Sequence, residues 1–413
     1  MAYRPQVLLP ARTFNAHNMK KLLSYIFISL LLVGTFVAGV PLAKATSCTP
    51  GNGFSFCRSL TVVHTKVSTN DQPSFAFEVC ANSTPATGSC ATVSGLNQTG
   101  AGAHVQNSNG YDINFFTDST CTTKVTAWEM EKYVASTGEM IAWVNDGTLS
   151  HTVDTVLYMC YGNSSISAFQ STASSVWDSN YLFVGHQLNS SFPNDSTISA
   201  CNGVTSASST AGQIDGAGDF TGSSINDLLG GTTCGSTGGG SNGTLDIATS
   251  TFYTWINPNQ SNDEDIYSGG ASGMPQFRRD ASNVISMNKY NTGSLATSSG
   301  TVPNNTWTQV AVTYDAVGNY VFYINGAASG SGSFVNPFTL LNFRFTNHTW
   351  RFGFGNGQPH MLIDEGQISN SIRGADWIAT EYNNQSDPSS FETFGSENGG
   401  GSSSVNLLFF MFI

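Results

Sequence analysis

The stretch Asn304–Gly326, NNTWTQVAVTYDAVGNYVFYING, reads as two β-strands around an Asp315–Gly318 turn, with Asn325-Gly326 opening the next turn. Upstream, TLDIATSTFYTWINPN (244–259) reads as a strand with Tyr253 and Trp255 on one face and Phe252, Thr254 and Ile256 on the other. Further back, Leu60 and Val62, then Phe75, Phe77 and Val79, alternate in strand fashion. More strands are expected at 111–116, 125–133, 140–144 and 155–161. After the hairpin, ADWIATEYNNQSDP (375–388) has Ile378, Ala379 and Tyr382 at helical spacing and is predicted to form a short helix from near Asp376.

Composition agrees with an all-β chain. Of the 413 residues 39% are hydrophobic, enough for two ordinary cores. Only 10% are charged, against roughly 25% in an average soluble domain. The 43 glycines suit short strands joined by turns. A net charge of −12 argues against nucleic acid or an anionic membrane as partner.

The N-terminal region fixes the expected compartment. Met19-Lys20-Lys21 supplies a basic n-region, Leu22–Val40 is uncharged and apolar, and Ala43-Lys44-Ala45 is a small-x-small cleavage site. Residues 19–45 are therefore expected to be a signal peptide, with translation starting at Met19 and the mature chain at Thr46; a retained anchor is the alternative. All eight cysteines follow Ala45, and an even number in an exported chain reads as disulfides. Spacing does not select the pairing; sequential bridges that close local loops are the expectation: Cys48–Cys57, Cys80–Cys90, Cys121–Cys160 and Cys201–Cys234. No CxxC pair favours zinc instead.

Two resemblances follow from longer runs. SLTVVHTKV (59–67), GYDINFFTDSTCTTKVTAWEMEKYVASTGEMIAWV (110–144) and DTVLYMCYGN (154–163) together resemble a bacterial β-domain of unknown function, which in exported proteins sits directly before a concanavalin A-like domain. VWDSNYLFVGHQLN (176–189), GQIDGAGDFTGSS (212–224), the 304–326 hairpin and HMLIDEGQIS (360–369) resemble a concanavalin A-like, laminin-G-type jelly roll. The resemblances imply two β-sandwich domains at 59–163 and 181–395, joined by a Ser/Ala-rich linker at 164–180. Residues 396–413 read as a flexible linker and an apolar tail.

Because jelly rolls of this kind include glucanases, paired carboxylates are the first chemistry to seek. A retaining glycosidase needs two carboxyl groups roughly 5–5.5 Å apart, and glucanases of this fold carry them on one strand as E-x-D-x-E or E-x-D-x-x-E. That pattern is missing. Glu129-Met130-Glu131 has half of it but lies upstream, Asp263-Glu264-Asp265 reads as a solvated turn, and adjacent Asp364-Glu365 on a regular strand point to opposite faces. His64, His104, His151, His186, His348 and His360 stand singly, without a G-x-S-x-G elbow or HExxH pair. No catalytic residue is nominated. The family resemblance points to Asp364, with Asp219 as a second oxygen ligand, for a structural calcium ion. Trp255, Trp307, Tyr323, Trp350 and Tyr290 could stack on sugar. Trp255 and Trp307 match positions where the family packs its core, Trp350 follows Asn347-His348-Thr349 and is the freer residue, and Trp350 and Tyr290 are the ligand-binding choices.

The expected protein is a secreted or cell-surface, non-catalytic module that binds glycan or a surface protein. A structural subunit that self-assembles through its apolar C-terminal strand, Val405–Ile413, is the second reading, and a glycoside hydrolase the third.

Overall fold

In a computed structural model of the chain, Thr308–Tyr314 and Asn319–Ile324 pair antiparallel, with Val310 opposite Ile324 and Tyr314 opposite Tyr320. Ile324 then pairs with Ala327 across a two-residue turn in which Asn325 and Gly326 have φ of 50° and 73°. Two left-handed central residues make a type I′ turn, whose twist matches its strands. Gly326 is needed twice over, since a Cβ there would lie 2.8 Å from Cβ of Tyr382. The structure describes residues 47–83, 90–186, 195–200, 207–221, 227–229, 249–268, 275–289, 293–334, 350–352 and 360–399.

That hairpin belongs to an eight-stranded sheet ordered Ala327–Ser333, Asn319–Ile324, Thr308–Tyr314, Ser250–Pro258, Met361–Ser369, Gly216–Asp219, Ser208–Ala211, with Tyr181–Gly185 also paired to Met361–Ser369. A six-stranded sheet faces it, ordered Asp227–Leu229, Trp350–Phe352, Glu264–Ser268, Pro275–Arg279, Val284–Lys289, Gly293–Thr301. Phe252, Ile256, Val310, Val312, Phe322 and Ile363 of the first sheet meet Ile266, Phe277, Ile285 and Met287 of the second in one buried core. Alternation along each strand sends these side chains inward, as face-to-face sheet packing requires.

The upstream sandwich has a five-stranded and a four-stranded sheet. In the first, Phe56–Val62 pairs with Thr155–Tyr161 on one side and with Glu392–Phe394 and Asn398–Gly399 on the other. In the second, Glu139–Val144 lies between Phe77–Asn82 and Trp128–Val134. Leu60, Val62, Phe115, Leu157 and Met159 pack against Phe77, Val79, Met140, Ala142 and Val144. Three disulfides staple this half, Cys48–Cys57, Cys80–Cys90 and Cys121–Cys160, with Cα separations of 6.1, 4.8 and 6.3 Å. They are the sequential pairs expected; Cys201 and Cys234 lie outside the described residues.

Three features differ from the sequence reading. The stretch 164–180 is not slack throughout, because Val176 and Trp177 are buried in the upstream core. The chain also does not end its structured part at 395: residues 392–399 return to the upstream sheet and complete it. And the two sandwiches share a core. Tyr253, Trp255 and Ala311, on the outer face of the eight-stranded sheet, join the upstream cluster together with Trp377 and Ile378 of the Ala375–Ser386 helix. Large apolar groups on that face need cover, and the helix and the four-stranded sheet supply it. Among the described residues no helix is long and apolar enough to cross a membrane. Residues 19–45, expected to be a signal peptide, and the Val405–Ile413 tail fall outside the described residues.

Candidate functional site

Between the four-stranded sheet and the eight-stranded sheet lies a buried group of ionisable side chains built on two interruptions of strand register. In Trp128–Val134, Met130 stands opposite Ala142 but Lys132 stands opposite Ile141, so Glu131 is the extra residue of a β-bulge. Glu129, Glu131 and Lys132 consequently all reach toward the jelly roll, Lys132 to Asp215 at 2.5 Å. In Met361–Ser369, Asp364 pairs with Trp255 and Gln367 with Tyr253, so Glu365 and Gly366 share one partner position. Glu365 takes a left-handed φ of 50°, a conformation that costs a non-glycine residue free energy and persists only where its surroundings hold it. Regular alternation would put Asp364 and Glu365 on opposite faces; the bulge instead buries both.

His186, just past Tyr181–Gly185, is the hub. Its Nδ1 lies 3.0 Å from Glu365 Oε2 and 3.7 Å from Glu131 Oε2, and its Nε2 lies 3.2 Å from Glu129 Oε1. The indole N–H of Trp177 donates to Glu129 Oε1 at 2.7 Å, and that of Trp143 to Glu131 Oε2 at 2.8 Å. The Trp143 ring stacks on the imidazole, centroids 5.1 Å apart. Glu131 Oε1 is buried and has no hydrogen-bond partner among the described residues. Burial pushes the Glu365 and Glu131 carboxyls up, with His186 pulling both back. Burial disfavours the imidazolium, but Glu365 and Glu131 outweigh it and hold His186 well above its ordinary value. These groups therefore titrate as one unit that keeps its protons to higher pH than separate groups would.

The site lies outside the sequence nominations. In the sequence His186 stands singly and Glu129-Met130-Glu131 lies in the upstream domain, yet packing of the two sandwiches joins them. Asp263-Glu264-Asp265 is also corrected: Glu264 and Asp265 are buried at the start of Glu264–Ser268, and only Asp263 is exposed. Asp364 and Asp219 do not fit a calcium ion. Asp364 Oδ2 accepts the backbone N–H groups of Gln213 and Ile214 at 2.8 and 3.1 Å, and Oδ1 accepts that of Glu365 at 3.0 Å. Asp219 Oδ1 accepts the N–H and hydroxyl of its own neighbour Thr221 at 2.8 and 2.5 Å. Oxygens aimed at N–H donors brace a turn; a calcium site needs six to eight oxygens converging on one point. Trp350 begins a strand of the six-stranded sheet, opposite Leu229, and Tyr290 lies outside the described residues. Trp255 is core as expected: it stacks on Tyr382 and donates to Gln385 Oε1 at 2.6 Å.

Comparison with known proteins bears on the jelly roll. Residues 230–379 match the family described as the concanavalin A-like lectin/glucanases superfamily. That stretch is a concanavalin A-like domain. No curated protein matches the chain. Similar solved structures include the binding domain of Paraclostridial Mosquitocidal Protein 1, at 14% identity and TM-score 0.38, covering 49% of this chain and 52% of that one. Domain 4 of AbnA, a GH43 extracellular arabinanase from Geobacillus stearothermophilus, in complex with arabinotriose, matches at 15% identity and TM-score 0.38, covering 48% and 97%. A mutant Trypanosoma rangeli sialidase displaying trans-sialidase activity matches at 10% and 0.38, covering 56% and 41%. At such scores the likenesses carry no argument about what the concanavalin A-like domain of this chain binds.

Proposed function

We propose that the protein is an extracellular, non-catalytic binding or display module whose partner is a glycan or a surface protein. The observation that carries this reading is the burial of the carboxylates that come near one another. Glu365 is 0% exposed, Glu131 3% and Glu129 10%, and two tryptophan rings flank the histidine between them. A general acid or nucleophile must touch the bond it breaks, and among the described residues these carboxylates are buried between two sandwiches. Three disulfides in the upstream half suit an oxidising compartment. The concanavalin A-like match is the ground for naming glycan first, by analogy of fold. The test is a glycan array probed with the disulfide-bonded chain, together with an assay for sugar released from the bound glycans. Retention without release is the expected result. Turnover that disappears in a folded Glu365→Gln variant overturns the reading.

A further inference from the structure

The buried cluster sets three carboxyl groups, those of Glu129, Glu131 and Glu365, around one imidazole. Glu131, His186 and Glu365 each offer a ligand atom within 4.8 Å of the other two. Two atoms bound to one zinc ion at roughly 2.0–2.2 Å lie at most about 4.4 Å apart, so side-chain shifts of a few tenths of an ångström bring this set to binding distance. Two further observations bear on a ligand. Among the described residues Glu131 Oε1, on a side chain 3% exposed, has no hydrogen-bond partner, and an orphaned buried carboxylate oxygen is costly. The imidazole is also oriented as metal-bound imidazoles are: its Nε2 side meets the Glu129 carboxylate, itself held by Trp177, while its Nδ1 side meets Glu131 and Glu365. A ligating histidine that gives its other N–H to a carboxylate is the common supporting arrangement.

We propose that Nδ1 of His186 and the carboxylates of Glu131 and Glu365 bind a divalent transition-metal ion of the zinc class, which fastens the upstream sandwich to the jelly roll. A doubly positive ion then offsets the two ligating carboxylates, His186 is neutral, and the single charge left on Glu129 accepts hydrogen bonds from His186 Nε2–H and the Trp177 indole N–H. Nitrogen among so few ligands favours zinc or its first-row neighbours over calcium or magnesium, which take oxygen shells. Glu131 comes from the upstream half and Glu365 from the jelly roll, so the ion bridges them. The two irregular backbone positions, the bulge at Glu131 and the left-handed Glu365, aim these carboxylates at one imidazole.

The test is metal content of the full chain, secreted into medium containing zinc and manganese salts and measured by plasma mass spectrometry after exhaustive dialysis. The wild type is expected to retain one ion per chain. Glu131→Gln and Glu365→Gln are expected to retain almost none while keeping the wild-type circular dichroism spectrum. Prolonged chelation should lower the wild-type melting midpoint, and restored zinc should raise it, with no shift in either variant. A folded wild type without metal overturns the proposal, as do variants that keep as much ion as the wild type. If the variants fail to fold, cobalt(II) supplied in place of zinc decides. Visible bands of low-coordinate, nitrogen-ligated cobalt in the wild type support the site, and a purified folded protein without them refutes it.

Discussion

The shared core makes a quantitative claim that one thermodynamic cycle can check. Phe75 precedes the Phe77–Asn82 strand of the upstream sandwich, and Trp377 lies on the helix that follows the jelly roll. Both are buried, and their rings meet at 4.8 Å with an interplanar angle of 55°. Truncating a buried phenylalanine or tryptophan to alanine costs about 3–5 kcal/mol. Each of Phe75→Ala and Trp377→Ala should therefore remove a large part of a stability of about 5–15 kcal/mol, typical of a folded domain. The double variant should cost less than the sum, because the second truncation removes no further contact between the two rings. An aromatic pair is worth about 0.5–1.5 kcal/mol beyond its burial, so a coupling of about 1 kcal/mol is expected, with part of the Trp377 cost arising from Arg373, whose guanidinium lies 4.3 Å over the same ring. The assay is equilibrium unfolding in guanidinium chloride with disulfides intact, followed by tryptophan fluorescence and far-ultraviolet circular dichroism. Both probes should report one coincident transition in the wild type. Additivity within about 0.3–0.5 kcal/mol, or a separate transition unmoved by either substitution, would refute the shared core.

Other expectations follow from single positions. Gly326→Ala should cost about 1–2 kcal/mol from its left-handed backbone alone, with more from the approach to Tyr382, read as a lower melting midpoint. Replacing Cys121 and Cys160 by serine opens a loop of 39 residues, and the chain-entropy relation puts the loss near about 4 kcal/mol in a denaturant titration. Burial raises Glu264 from 4.5 to about 7, only partly offset by Arg279. The folded state thus holds a proton that the unfolded state has released. This contribution is fully present below the unfolded value and fades as pH rises through about 7, a change of about 3 kcal/mol at most. Glu264→Gln should flatten the stability profile over that interval, and an unchanged profile would count against it. Asp364→Ala strips the acceptor from three backbone N–H groups and should cost about 1–3 kcal/mol for each group left without water, while added calcium leaves the wild-type midpoint where it was.

Local chemistry was legible in the sequence. The Asn304–Gly326 hairpin, the strand at Thr155–Tyr161 and the helix at Ala375–Ser386 depend on neighbours a few residues apart, on side-chain period and on turn residues that tolerate positive φ. The three described disulfides close short loops in the upstream half, so pairing cysteines in order found them. The candidate site was not legible, though every residue of it stood in plain view. His186 meets Glu129 across 57 positions and Glu365 across 179. Strand alternation assigns Glu365 to the wrong face, because a bulge adds one residue whose direction is set by both strands of a pair. Similarly, residues 392–399 look like the run-out of a domain until Phe56–Val62 offers them an open edge. Side-chain period and turn chemistry act along the chain and can be read from it. Register slips, edge pairing and the gathering of charges between two sheets are decided by surfaces that exist only once both sandwiches have folded.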